Sequence, residues 1–457
     1  MAQSSEDHTT HILDFKYDED ESCALTVLVN DVRFHITVDP KTLQKSSEKP
    51  LYYEYLDKIR GLRDAEEREE EIAEEQQITG TGDKKTRSAD KDSAVDMTAD
   101  DESDEDQDSG SAAVELRNWI LSAFGDITAE WAPPDRDPIQ SSLYEWYHGP
   151  TYFYNLRIKG GQLTPELLET TDELNARIEK LVPRLKMPKY IQSIDLPWIN
   201  ANDLTVQSEV SLPEPAHPGK VVDKEGNVYF FKPVVSDEPG PVKREISILQ
   251  KIAEKELDIK VPYLLGFVSF KNSTTEAMGF LLSNIDGPRP LTKMLKKSVP
   301  RAKRADWASR SEKYVKTLHE NDIIWGDAKA DNFIVDAEDE LWIIDFGGSY
   351  TVGWVDPELS ETMEGDDMGL DKVVKALEDP EGATYDPEET ASGLFVTERP
   401  SGGVVGKRKR GNEKDEDEEA DGVESKKRKE DGVDGAEREE TKEHEGGNGS
   451  DDEYTPE

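Results

Sequence analysis

The residues best suited to chemistry fall between positions 327 and 345. Asp327, Lys329 and Asn332 lie close together, and Asp345 follows after two apolar runs, Phe333-Ile334-Val335 and Leu341-Trp342-Ile343-Ile344, separated by the polar stretch 336–340. If the runs pair as strands joined by that turn, Asn332 precedes the first and Asp345 follows the second, at the same end of a hairpin. An amide oxygen and a carboxylate are hard ligands of the kind that hold magnesium on phosphates. Asp327, five residues before Asn332, can accept or orient a hydroxyl proton, and Lys329 can neutralise charge on a phosphoryl group in transfer. The chemistry open to this set is phosphoryl transfer.

The elements that must position these residues can be read upstream. Trp307, Ser311, Tyr314, Val315 and Leu318 share one face of a helix ending near His319. Val228-Tyr229-Phe230-Phe231-Lys232 reads as a strand that ends in a lysine. Pro241 opens a helix in which Val242, Ile246, Leu249 and Ile252 face inward, with Glu245 beside them and able to pair with Lys232. A further apolar strand, Phe280-Leu281-Leu282, runs into Ser283, Asn284 and Ile285.

The joint pattern D-x-K-x-x-N (residues 327–332) and D-F-G (residues 345–347), at this spacing, resembles the catalytic core of the protein-kinase-like superfamily. Leu318-His319, ahead of Ile323-Ile324, resembles the segment leading into its catalytic loop. The layout over about residues 203–378 is similar to that of a group of fungal protein-kinase-like proteins. The resemblance implies an α+β, bilobal kinase-like fold with a short C-lobe, and ATP and Mg2+ as cofactors. It implies Asp327 as catalytic base, Lys329 as the phosphate-contacting lysine, and Asn332 and Asp345 as metal ligands. Lys232, held by Glu245, would contact the nucleotide's phosphates, and the backbone of Ser283, Asn284 and Ile285 would meet the adenine.

Three features depart from that pattern. No Gly-rich loop precedes Lys232; residues 209–222 carry Pro213, Pro215 and Pro218 instead, which remove backbone donors. Trp325-Gly326 stands where most protein kinases have His-Arg, so a phosphorylated activation loop lacks its arginine partner there. Gly326 is closer to aminoglycoside- and choline-type phosphotransferases, whereas Lys329 resembles the protein-kinase version. The C-terminal part is short: Pro357-Glu358 resembles the end of an activation segment, and one helix near residues 369–377 follows.

Around this core the sequence divides into an N-terminal accessory α/β region at 10–78, a disordered acidic linker at 79–112 and a helical, aromatic-rich accessory region at 113–202. A kinase-like N-lobe follows at 203–283, a short C-lobe at 284–397 and a disordered tail at 398–457. In the first region, runs 24–29 and 32–38 flank Asn30-Asp31 as a hairpin, and Tyr52, Tyr55, Leu56, Ile59 and Leu62 give a helical stripe. In the third, Leu116, Trp119, Ile120, Ile127 and Trp131 suggest a helix broken near Gly125. Thr164-Pro165-Glu166 reads as the start of another helix reaching residue 185. The aromatic run of Tyr144, Trp146, Tyr147, Tyr152, Phe153 and Tyr154 is expected to pack in a core.

Composition narrows the function classes. The 457 residues are 34% hydrophobic and 34% charged, with a formal net charge of -45. Such a charge repels nucleic-acid phosphates, so no nucleic-acid partner is expected. The single cysteine, Cys23, excludes a disulfide framework or a thiolate zinc site. No apolar run is long enough to span a bilayer and the polar start lacks a signal-peptide core, so a soluble intracellular protein with no membrane partner is expected. The basic clusters 407–410 and 426–429 read as a nuclear localisation signal engaging the nuclear import machinery. The leading expectation is an ATP- and magnesium-dependent Ser/Thr protein kinase acting on an unknown protein phosphoacceptor. The alternatives are a small-molecule kinase and a catalytically weak pseudokinase scaffold.

Overall fold

A computed structural model describes residues 10–43, 49–79, 108–133, 140–351 and 353–382. The linker residues 80–107, the tail beyond 382 and both basic clusters lie outside the described residues. The architecture is mixed α+β with several sheets, as the sequence predicts.

The first sheet has five strands in chain order: β1 (Thr10–Tyr17), β2 (Cys23–Val29), β3 (Val32–Val38), β4 (Thr151–Lys159) and β5 (Gln162–Leu167). The expected hairpin is β2–β3. It turns at Asn30, whose φ of +53° is a left-handed conformation that asparagine tolerates. The other neighbours pair antiparallel, but β3 and β4 are parallel. The two accessory segments that looked separate in the sequence therefore share one sheet.

Helices Lys49–Thr79 and Ser109–Leu121 cover one face of this sheet. Tyr55, Leu56, Ile59 and Leu62 on the first meet Leu116, Trp119 and Ile120 on the second, in one core with β2 and β3. Asp108 caps the second helix through its side chain, so this helix begins a few residues before the expected boundary at 113. The break near Gly125 is present, with a second helix at Gly125–Trp131.

One local reading needs correction. Residues 164–167 are the end of β5, not the start of a helix; the helix is short, Asp172–Glu179, and Thr171 caps it. As an edge strand, β5 can hold Pro165 opposite Leu156 without losing a needed donor.

The chain then forms β6 (Leu185–Lys186), β7 (Trp198–Asn200), β8 (Leu204–Val210), β9 (His217–Asp223), β10 (Val228–Pro233), β11 (Leu264–Ser269), β12 (Glu276–Ala277) and β13 (Gly279–Ser283). Six of these make a sheet in the order β7-β11-β13-β10-β9-β8, and β6 pairs with β12. Strand β7 lies before residue 203, so this unit starts earlier than the sequence boundary. The six-stranded sheet is buried on two sides. Leu204, Val221, Phe231, Met278 and Leu281 pack against Leu13, Leu28, Leu143, Trp146 and Tyr147 of the accessory region. Phe267, Phe280 and Leu282 pack with Val242, Ile246, Leu249 and Ile252 of helix Pro239–Glu254. Each fully buried side chain of this size contributes about 1.5–3 kcal/mol, so both contacts are substantial.

The last sheet is small: β14 (Arg289–Pro290), β15 (Phe333–Val335) and β16 (Leu341–Ile343), with β15–β16 as the expected hairpin. Helices Arg301–His319 and Met363–Glu378 pack beside it. No helix among the described residues is long and apolar enough to cross a membrane.

Candidate active site

The β15–β16 hairpin delivers Asn332 and Asp345 to the same end, as its register requires: Phe333 pairs with Ile343, and Ile344 N–H donates to the Asn332 carbonyl at 3.0 Å. Asp345 then turns the chain at φ +59°, a sparsely populated conformation for a residue with a side chain. Trp325 fastens the same point. Its indole N–H donates to the carbonyls of Ile344 (3.0 Å) and Asp345 (3.1 Å), and its ring meets Phe333 edge-on.

Asp327 is buried, and each of its carboxylate oxygens has a partner. Oδ1 accepts from the Thr351 hydroxyl at 2.8 Å; Oδ2 lies 2.7 Å from Lys329 Nζ and 3.0 Å from Asn332 Nδ2. Asn332 Nδ2 also donates to the Asp327 carbonyl at 2.9 Å, so the amide nitrogen is engaged through both of its bonds to Asp327. Lys329 also donates to Thr351 Oγ1 at 2.9 Å. The carboxylate is thus fixed in orientation by three side chains.

Lys232 bridges two carboxylates, Glu245 at 2.6 Å and Asp345 at 2.9 Å. The pair expected from the strand-and-helix reading is formed, and Glu245 is deeply buried. Burial pulls the Asp345 carboxyl up, but the charge and hydrogen bond of Lys232, with Lys329 beyond, outweigh it and hold it at about 2. Burial also lifts Glu245 above the usual carboxylate range, more than Lys232 lowers it. Desolvation opposes the charge on Lys232, yet Asp345 and Glu245 together raise its pKa. Asp345 is therefore ionised at any working pH.

These residues line a cavity of about 2120 Å³ that also includes Ser283, Asn284 and Ile285. The cavity also extends along the accessory region, past Leu13, Arg33 and Trp146, so its volume exceeds that of the site alone. The Ser283 amide is spent on the carbonyl of Tyr263, at 2.9 Å, so this one of the backbone groups expected to meet a base is already taken. The Pro-bearing loop between β8 and β9 lines the cavity where a Gly-rich loop was absent from the sequence. The accessory region holds it: Ala216 N–H donates to the Ile12 carbonyl at 2.8 Å, Arg117 pairs with Glu214, and His11 bonds Ser211.

Among the described residues no three or more His, Cys, Asp or Glu side chains converge as a metal site. A magnesium ion would take one carboxylate, Asp345, and the Asn332 amide oxygen, the rest of its shell being phosphate and water. That is the usual way this ion is held, so the donors fit.

Sequence reasoning missed Thr351, Asp366 and Arg244. Asp366, buried on helix Met363–Glu378, accepts from the amides of Trp325 (2.7 Å) and Gly326 (2.8 Å). It thus fixes the backbone just before Asp327. The helix presses close because Gly369 has no side chain; a Cβ there would sit 2.1 Å from the Ala328 carbonyl oxygen.

His319 Nε2 donates to Asp366 Oδ2 at 2.9 Å, and Asp367 lies 3.7 Å from its other ring nitrogen. The Asp366 hydrogen bond raises the His319 pKa above 6.5 against burial, and the charges of Asp366, Asp367 and Glu364 add to it. Because the folded pKa exceeds the unfolded one, the stability gained by protonating His319 is fully present below pH 6.5. It is lost as pH rises through the raised value. Urea midpoints of wild type should therefore fall across that window, and those of His319→Gln should fall less. Equal slopes would remove His319 as the source. No protein-family model matches this chain, and no curated protein matches it.

Proposed function

We propose that this chain is an ATP- and magnesium-dependent phosphotransferase with a bilobal, kinase-like fold, acting on a Ser or Thr hydroxyl of a protein. In this reading the six-stranded sheet with helix Pro239–Glu254 is the nucleotide-side lobe, and the short C-lobe begins after Ser283. The observation that carries it is the single cavity onto which Lys232, Asp345, Asn332, Asp327 and Lys329 all open, with Lys232 already paired to Glu245.

The chemistry follows from the partners. Bound magnesium would neutralise phosphate charge between Asp345 and Asn332. Lys232, kept charged by its two carboxylates, binds and orients phosphate oxygens. Asp327 takes the proton from the acceptor hydroxyl as the oxygen–phosphorus bond forms and the bridging oxygen leaves with the nucleoside diphosphate. Lys329 stabilises the negative charge on the group in flight. A small-molecule acceptor is a second reading, favoured by Gly326 and by the few elements among the described residues after 353.

The test is a thermal-shift titration with ATP, with and without magnesium, on wild type and Asp345→Asn. Wild type should gain a magnesium-dependent rise, equivalent to about 2.7 kcal/mol at a hundredfold excess over Kd, and Asp345→Asn should lose it. Absence of any shift in wild type would overturn the proposal in favour of a non-catalytic scaffold.

A further inference from the structure

Arg244 stands next to Glu245 on helix Pro239–Glu254 and points its guanidinium into the space between the two catalytic segments. It donates to three backbone carbonyls. Nη2 reaches the Ile324 carbonyl at 2.9 Å, and Nη1 reaches those of Trp325 at 2.9 Å and Phe346 at 2.5 Å. Two of these acceptors lie just before Asp327 and the third directly follows Asp345. One side chain therefore joins the helix that carries Glu245 to both segments that carry the acidic residues.

The surrounding sequence makes room for it. Gly326 adopts φ +96°, and a Cβ there would lie 2.7 Å from Arg244 Nη2; Gly348 adopts φ +81°, and its Cβ would lie 3.2 Å from Arg244 Cδ. Among the described residues Arg244 makes no ion pair with a carboxylate within 4 Å, although Glu361, Asp366, Asp345 and Glu245 all act on its charge. Three of its five N–H donors are committed to backbone carbonyls, which anchors the guanidinium between the two segments.

We propose that Arg244 is a positioning residue that locks the Glu245 helix, the Asp327 loop and the Asp345 turn into one assembly, so that the site is organised without activation-loop phosphorylation. The inference rests on the phosphotransferase reading for its effect on rate, but the clamp itself can be read without activity. The planar fork of arginine suits it, since it meets carbonyls on two separate segments at once; the single ammonium of lysine cannot reproduce that spread.

The experiment compares the full chain with Arg244→Ala, Arg244→Lys, Glu245→Gln and the Arg244→Ala/Glu245→Gln double variant. Amide hydrogen exchange is followed at residues 324–327 and 345–349, and steady-state transfer from MgATP is measured in parallel. Arg244→Ala should raise exchange in both segments about tenfold or more and lower kcat about a hundredfold. Arg244→Lys should recover only part of each. The double variant should be no slower than the worse single one, because both act on the same assembly. Unchanged exchange in both segments, or single effects that multiply, would overturn the clamp. If Arg244→Ala does not fold, the same comparison with Arg244→Lys decides it. A wild type that neither binds MgATP nor transfers phosphate would sink the phosphotransferase reading alone, since the exchange measurement still tests the clamp.

Discussion

Asp327→Ala is expected to lower kcat for phosphoryl transfer about 10³-fold, within the range for loss of a positioned general base. The KM for ATP should stay within about threefold, because in the proposed mechanism Asp327 would touch the acceptor hydroxyl rather than the nucleotide. Asp327→Asn separates the roles of the group. It keeps the volume and can still accept the Thr351 hydroxyl (2.8 Å in wild type), but it has no carboxylate to take a proton or to neutralise Lys329 at 2.7 Å. Its rate should therefore be nearly as low as that of Asp327→Ala, with the magnesium-dependent thermal shift of wild type retained. Asp345→Asn should show the reverse order of defects, losing the shift first. Transfer persisting in Asp327→Asn at above about a tenth of the wild-type rate would remove Asp327 as the base.

Part of this site was legible in the sequence because its geometry is local. The β15–β16 hairpin brings Asn332 and Asp345 together through a single short turn, and the alternative would need a register slip that buried polar residues. Glu245 could be placed because helical periodicity fixes its angle relative to Val242, Ile246 and Leu249. Contacts set by the path of the chain left no such trace. Thr351 reaches Asp327 across 24 positions, and Asp366 reaches Trp325 across 41. Arg244 drew no reading at all, since nothing in its neighbours announces three carbonyl acceptors some eighty to one hundred positions away. Gly326 was noticed as a departure from His-Arg, but its reason, the space taken by the Arg244 guanidinium, is tertiary. The fold divided in the same way. The hairpin β2–β3 followed from its turn, whereas the parallel β3–β4 pairing joins residues more than a hundred positions apart and merged two segments read as separate. At β5, half-exposed side chains blurred the alternation, and Thr164-Pro165-Glu166 imitated a helix start.

Asp366→Ala is expected to be the most destabilising single change in this region, by about 3–5 kcal/mol. The carboxylate is almost fully buried and receives the Trp325 amide, the Gly326 amide and His319. Truncation leaves two buried N–H groups without acceptors, each costing about 1–3 kcal/mol, and strands His319 without its partner. Urea unfolding followed by tryptophan fluorescence measures the loss directly, and a change below about 1 kcal/mol would show that water or rearrangement replaces the carboxylate. Asp366→Asn gives a finer test. One of its two side-chain atoms becomes a donor, so it can serve only one of the two amides and must turn its NH2 toward another donor. It should fall between wild type and Asp366→Ala in stability, and the pH dependence ascribed to His319 should shrink, because the charge that raised the imidazole pKa is gone. Those two outcomes depend on the same carboxylate, so their joint appearance would tie the organisation of the Asp327 loop to helix Met363–Glu378, an element the sequence predicted but gave no task.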